Sequence, residues 1–212
     1  MLTSASGGYV YDANGNPFLI MSGFKNTYDY VGANDGATMY TTPGSVPSSF
    51  VTTGQYSYTI GNGEFHYVGG SPDVLGYAMG SGDAAYHYDG TGYNSFVASG
   101  NTYSYMAGTN NGLGQSFFNE AIGFNLNYGV AGNGYYDTAT LYDSSGSDVL
   151  VATAGYTYQY GYPNGVFYYD QVQGFNKVTA YSFQGGTDYA YLYTGLVTVG
   201  GNYNQVIAGG PR

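Results

Sequence analysis

The sequence contains no cysteine, no tryptophan and only three basic residues, Lys25, Lys177 and Arg212. The lack of cysteine excludes disulfides, thiolate metal sites and thiol nucleophiles. With 13 acidic residues, the formal charge is −10. Because nucleic-acid binding needs a cationic surface that displaces counterions from phosphate, we expect no nucleic-acid partner.

Long apolar runs are also missing. The longest, from about Phe18 to Met21, is far shorter than the ~20 residues of a membrane-spanning helix, so no membrane span is expected. Residues 1–8 show neither the basic nor the apolar region of a signal peptide, which indicates a processed precursor or a segment of a longer chain. No long stretch places its apolar residues with helical spacing.

The residues available for catalysis are few. The chain has two histidines, His66 and His87, and two glutamates, Glu64 and Glu120. No Gly-x-Ser-x-Gly elbow supports a serine nucleophile. The two glutamates are an alternative acid pair of the glycosidase type, but neither lies in a repeated segment. The sequence therefore predicts a protein that is not an enzyme.

Glycine and tyrosine are abundant, at 37 and 29 of 212 residues. Disordered chains have few aromatic residues, whereas 19% of this chain is aromatic, so disorder is excluded. The composition is typical of short aromatic strands joined by many tight turns.

The string Asp-x-Ala-x-x-Tyr occurs four times without gaps, and its tyrosines are 48, 54 and 51 residues apart. We expect the alanine to face the core, the tyrosine to stack on its counterpart in the next copy, and the aspartate to accept backbone N–H bonds at a turn. The motif residues are Asp35, Ala37 and Tyr40; Asp83, Ala85 and Tyr88; Asp137, Ala139 and Tyr142; and Asp188, Ala190 and Tyr193.

The flanking sequence extends this motif into a repeat of about 50 residues. The pattern predicts a single repeat domain over residues 1–212, with a partial repeat at 9–23 and repeats at about 24–73, 74–123, 124–174 and 175–212. The partial repeat matches the first half of a unit, and its distance from the next motif indicates coils of about 25 residues.

Apolar and polar residues alternate with period two, as in Thr138–Tyr142 and Val178–Phe183, which predicts an all-β fold. We expect a repeat-built, right-handed parallel β-solenoid of coils of about 25 residues. The alternative is a β-propeller-like ring of four repeats, because propeller blades have about 40–50 residues. The two terminal segments look like equivalent copies and do not complete one shared blade, which favours the solenoid.

Calcium is the one metal ion that the sequence indicates. Asp143, Asp148 and Asp188 lie in Gly- and Ser-rich turns, and calcium prefers six to eight oxygen ligands. The alternative is that these carboxylates cap turns. No other cofactor is predicted.

Two segments, residues 137–152 and 174–188, resemble repeats of very long secreted proteins of environmental bacteria, planctomycetes especially. The resemblance covers most of the chain from about residue 24 and departs from the pattern at Pro43, Pro47 and Pro72. It implies an extracellular or cell-surface location and a β-solenoid, and it implies no active site.

Together these observations predict a structural subunit of an extracellular fibre or surface layer. Uncapped solenoid ends expose unpaired strand edges, so the expected partner is another copy, added head to tail. The alternative is a surface adhesin or carbohydrate-binding module that uses an aromatic face. The sequence leaves open whether sugar is attached covalently to Ser, Thr or Tyr. The lack of any Asn-x-Ser/Thr sequence excludes the usual site of N-linked glycosylation.

Overall fold

The computed structural model describes residues 7–12, 14–22, 24–32, 34–110, 114–132, 136–193, 197–201 and 205–208. In these ranges the regular secondary structure is almost entirely β-strand, and two hydrophobic clusters lie between two sheets. This arrangement is a β-solenoid, so the predicted all-β fold class is confirmed. The described residues contain no helix of the length and apolarity that a membrane span needs.

The strands follow the repeat, and each of the first three full repeats contains five of them. The partial repeat holds β1 (Gly7–Tyr11) and β2 (Pro17–Ser22). The first full repeat holds β3 (Asn26–Tyr30), β4 (Gly36–Tyr40), β5 (Ser49–Thr52), β6 (Tyr56–Gly61) and β7 (Glu64–Gly69). The second holds β8 (Asp73–Tyr77), β9 (Ala84–Tyr88), β10 (Asn94–Ser99), β11 (Tyr103–Asn110) and β12 (Gln115–Ile122). The third holds β13 (Leu126–Val130), β14 (Thr138–Tyr142), β15 (Asp148–Ala152), β16 (Tyr156–Gly161) and β17 (Tyr168–Gln173). The fourth holds β18 (Lys177–Ser182), β19 (Tyr189–Leu192), β20 (Val197–Gly201) and β21 (Gln205–Ala208).

The strands of one repeat are divided between the two sheets. The first two strands lie in opposite sheets, and the last three form an antiparallel meander within one sheet. The next repeat places its meander in the other sheet. The ten-stranded sheet has the order β2-β1-β4-β8-β12-β11-β10-β14-β18-β20. The eleven-stranded sheet has the order β21-β19-β15-β16-β17-β13-β9-β5-β6-β7-β3.

The solenoid differs from a stack of uniform parallel coils. Strands from different parts of the repeat pair in parallel, as β14 does with β10 and β18, but the meander strands pair antiparallel. Tight turns within the meander reverse the chain inside one sheet, so each full repeat adds antiparallel as well as parallel strand pairs. The strands form two long sheets that run through all repeats and not one separate sheet for each repeat, so the chain does not form the alternative ring.

The turns that reverse the chain recur between repeats. In the turn after β5, the Thr53 hydroxyl accepts a bond from the Tyr56 N–H (3.0 Å), and Thr153 does the same for Tyr156 after β15 (3.2 Å). Each meander then ends at a glycine with positive φ, as at Gly174 (φ +80°). A Cβ at Gly174 would meet the Ala131 carbonyl oxygen, so only glycine fits there.

The strand pairing of the partial repeat differs from the position in the unit that the sequence alignment gave it. Its hairpin β1-β2 pairs antiparallel, and β1 also pairs antiparallel with β4, so it corresponds to the second and third meander strands rather than to the first half of a unit. At the other end, β21 pairs in parallel with β19.

Candidate functional site

The aspartate of the repeated motif fixes the start of a neighbouring strand. Asp83 Oδ1 accepts the backbone N–H of Ser48 (2.8 Å), just before β5, the parallel neighbour of β9. Asp137 does the same for Asn94 at the start of β10 (2.8 Å), and Asp188 for Asp148 at the start of β15 (2.9 Å). In the first copy the neighbour of β4 on this side is the antiparallel strand β1, and Asp35 accepts the N–H of Gly32 within its own turn (2.9 Å). The motif therefore couples adjacent strands of the solenoid.

The other two motif positions have separate surroundings. All four alanines, Ala37, Ala85, Ala139 and Ala190, are buried in the core. The sequence predicts that each motif tyrosine stacks on its counterpart in the next copy. The structure differs from this expectation. Tyr40 stacks on Tyr77 of the following strand in its sheet (ring centroids 5.3 Å apart), and Tyr142 stacks on Tyr181 (5.4 Å). Tyr88 and Tyr193 lie on the opposite sheet with much of their surface exposed.

The three calcium candidates bind protein donors. Asp148 accepts bonds from the Ser144 N–H (3.0 Å) and the Tyr168 hydroxyl (2.7 Å), and Asp143 accepts the Gln184 N–H (2.8 Å). Burial raises the pKa of both carboxyl groups. In the part of the chain that the structure describes, no three His, Asp or Glu side chains form a group suited to a metal ion. Calcium binding stays a prediction, which calorimetric titration with Ca²⁺ tests.

A chain of buried polar side chains crosses the middle of the core. Thr52 Oγ1 and Ser104 Oγ each hydrogen-bond one ring nitrogen of His87 (3.1 and 3.0 Å). Ser104 donates to Asn127 Oδ1 (2.8 Å), and Asn127 donates to Asp170 Oδ1 (2.8 Å). Burial lowers the pKa of His87 to about 3 and raises that of Asp170 well above its usual value. The ring of His87 is fully buried.

The outer surface of the eleven-stranded sheet is rich in tyrosine, and we call it the tyrosine face. One row of residues in register crosses ten strands: Tyr28, Tyr67, Tyr58, Val51, Tyr86, Tyr128, Gln171, Tyr158, Val151 and Tyr191. The acids on these strands, Asp29, Glu64, Asp148 and Asp170, occupy positions of the opposite parity. The outward positions of the described strands in this sheet therefore carry no Asp, Glu, Lys or Arg, although the whole chain has a charge of −10.

The rings of the tyrosine face pack on one another. Tyr86 and Tyr128 are nearly parallel, with centroids 4.7 Å apart and planes 8° apart. Tyr158 stacks on Tyr169 at 5.4 Å, beside a shallow groove that Gln171 also lines. Because the rings cover one another's faces, the surface presents mainly ring edges and hydroxyl groups.

One end of the solenoid exposes aromatic side chains that the repeat elsewhere covers. Phe124 and Phe175, each at the start of a repeat, are 0% and 8% exposed, whereas the equivalent Phe24 is 61% exposed. Phe124 packs on Phe50, with centroids 5.9 Å apart, whereas the described residues before Phe24 form only the hairpin β1-β2. We call Phe24 together with the edge strand β3 the end surface. The terminal residues 1–6 and 209–212 lie outside the described residues.

The chain matches no protein family, no curated protein and no solved structure. Its function is therefore argued from the end surface and the tyrosine face.

The end surface and the buried polar chain were not predicted from the sequence. A Gly-Phe pair opens the later repeats at Phe124 and Phe175, but only the three-dimensional stack shows that these two rings are buried while Phe24 is exposed. A comparison of repeats could have found His87, since it replaces Met39, Leu141 and Leu192 at one core position of the motif.

Proposed function

We propose that the chain is a structural subunit of an extracellular fibre or surface layer in which copies add end to end. The exposure of Phe24 carries this proposal, because the solenoid buries the equivalent phenylalanines and leaves this one at the end surface. The extracellular setting rests on the resemblance of the repeats to those of secreted bacterial proteins.

The edge strands of both sheets also favour another copy of the chain as the partner. Strands β3 and β21 end the eleven-stranded sheet, and β2 and β20 end the ten-stranded one. On β3, Tyr28 and Tyr30 are 68% and 77% exposed. An edge strand offers unpaired N–H and C=O groups to another chain, so a further copy can extend both sheets and cover Phe24. Because such a contact joins two different surfaces and does not close, it produces a filament.

Asp29 limits this association. It lies on β3 at a position of inward parity, and one of its oxygens is buried without a hydrogen-bond partner. An inward-facing charge on an edge strand is a device that restrains edge-to-edge pairing. We therefore expect assembly to depend on protein concentration, and Asp29→Asn to promote it.

Negative-stain electron microscopy and sedimentation over a concentration series test the proposal. Filaments are expected for the purified chain, with shorter ones for Tyr30→Lys, which places a charge on the edge. Tyr93→Lys is the matched control, because Tyr93 is also well exposed but lies outside β3. A strictly monomeric protein at high concentration, or equal effects of the two lysine variants, would contradict end-to-end assembly.

The tyrosine face favours a second candidate function, a surface adhesin that binds carbohydrate. The groove at Tyr158, Tyr169 and Gln171 combines aromatic rings with an amide, a combination that suits sugars. A glycan array tests it: binding that Tyr158→Ala removes supports the adhesin. Binding that survives this change, or no binding at all, leaves the structural subunit as the better account.

A further inference from the structure

Among the described aromatic pairs, Tyr86 and Tyr128 lie closest together. Their ring centroids are 4.7 Å apart and their planes differ by 8°. The two residues are register partners on β9 and β13, so strand pairing holds the rings side by side although 42 positions separate them in the sequence. Both side chains are partly exposed, which leaves ring edges accessible at the surface.

The composition directs oxidation towards tyrosine. With no cysteine and no tryptophan, the chain lacks the side chains that compete most strongly with tyrosine for one-electron oxidants. Neighbouring rings also connect to the pair, because Tyr128 lies 6.0 Å from Tyr169, which lies 5.4 Å from Tyr158. A radical formed elsewhere on the tyrosine face therefore has a path of closely spaced rings to this pair.

We propose that Tyr86 and Tyr128 form an oxidative modification site at which a peroxidase with hydrogen peroxide joins the two rings as dityrosine. Each phenol loses one electron and one proton, and the two phenoxyl radicals form one carbon–carbon bond between positions ortho to the hydroxyls. The ring hydrogens then move to the oxygens, which restores both aromatic rings and both hydroxyl groups. The two electrons and two protons released reduce one peroxide to two water molecules.

The link would connect the second repeat to the third. It closes a loop between residues 86 and 128, and a covalent link of that kind restricts the unfolded chain as a disulfide does. A chain without cysteine can thus gain a covalent staple after folding. The link forms within one molecule, so its test is separate from that of filament assembly.

The experiment treats dilute protein with horseradish peroxidase and hydrogen peroxide, followed by digestion and mass spectrometry. The expected product is a linked pair of peptides containing Tyr86 and Tyr128, with the mass of their sum less two hydrogens. Tyr86→Phe should abolish this product. The matched control is Tyr103→Phe, because Tyr103 and Tyr105 are equally parallel (7°) but farther apart, at 6.3 Å.

Denatured protein provides the second comparison. In urea the strand pairing is lost, so the yield of the 86–128 link should fall relative to other dityrosine products. If the native chain gives other linked peptides but not this one, or gives it equally when unfolded, the site is refuted. Melting curves of both phenylalanine variants establish that any loss of product is not a loss of folding.

Discussion

Gly129 lies directly beneath the ring of Phe96: a Cβ built on this glycine would stand 2.7 Å from the ring. The same relationship joins Gly76 to Phe50 one repeat earlier, at 2.4 Å. In the third repeat the phenylalanine position holds Leu150, and the glycine position of the fourth holds Ala180, both fully buried. A repeat with phenylalanine at the first of these positions is thus followed by one with glycine at the second, and the repeat with the smaller leucine is followed by one with alanine.

Gly129→Ala should destabilise the protein by about 1–3 kcal/mol, the usual cost of overpacking a well-packed core. Phe96→Leu alone should also destabilise it, because it leaves a cavity above the glycine. The double variant recreates the Ala180 and Leu150 combination, so it should lose much less than the sum of the single changes. Urea unfolding of all four proteins measures this coupling, and additive losses would show that the two positions do not share space.

The motif aspartates should differ in their contribution to stability. Asp83 is buried and binds the Ser48 N–H, the Thr41 hydroxyl and the Gly80 N–H, whereas Asp35 is partly exposed and accepts the Gly32 N–H. Asp83→Ala leaves buried donors without partners and should cost about 1–3 kcal/mol or more.

Asp35→Ala should cost less than about 1 kcal/mol, because one partly exposed hydrogen bond is lost. Thermal and urea unfolding of the two variants provide the comparison. Equal losses of stability in Asp83→Ala and Asp35→Ala would mean that Asp83 stabilises only its own turn and not the neighbouring strand.

The repeat and the all-β fold could be predicted from sequence because a periodic pattern is repeated four times, and chance matches do not survive such repetition. The burial of the motif alanines could be predicted from the alternation of apolar and polar residues along the strands. The antiparallel meanders could not be predicted, because both kinds of turn contain Gly and the sheet that a strand joins is decided by long-range strand pairing. The long-range partner of Asp137 also depends on strand order, which one sequence does not reveal.

Asp170 should make stability depend on pH. Burial raises its pKa in the folded protein above the unfolded value of about 3.8, and the Asn127 amide only partly opposes this effect. The stabilising contribution is therefore present below that unfolded value and is lost as the pH rises through the folded pKa.

Asp170→Asn supplies the residue that the second repeat has at this place, Asn119, and its amide oxygen can still accept the bond from Asn127. The variant should be more stable than the parent at pH 7, by roughly 1–3 kcal/mol, because it no longer buries a carboxyl group that is ionised in the unfolded chain at this pH. Urea unfolding between pH 4 and pH 8 measures this difference. A parent and variant that respond identically to pH would contradict a buried ionisable Asp170.

His87 should have the opposite effect to Asp170 on how stability depends on pH. Its folded pKa is lowered to about 3 by burial, against an ordinary value of 6.5. The unfolded chain therefore takes up a proton below pH 6.5 that the folded chain does not, and stability falls as the pH drops towards 3. Since one pKa unit corresponds to about 1.4 kcal/mol, the loss is on the order of 4–5 kcal/mol over that window. The double variant Thr52→Ala with His87→Leu tests this, because Ala98 and Leu141 stand at the equivalent positions of other repeats. It should retain its stability down to acid pH, whereas Thr52→Ala alone keeps the histidine and should lose stability as the parent does. If the double variant loses as much stability in acid as Thr52→Ala, the proton is taken up elsewhere and His87 is not the group responsible.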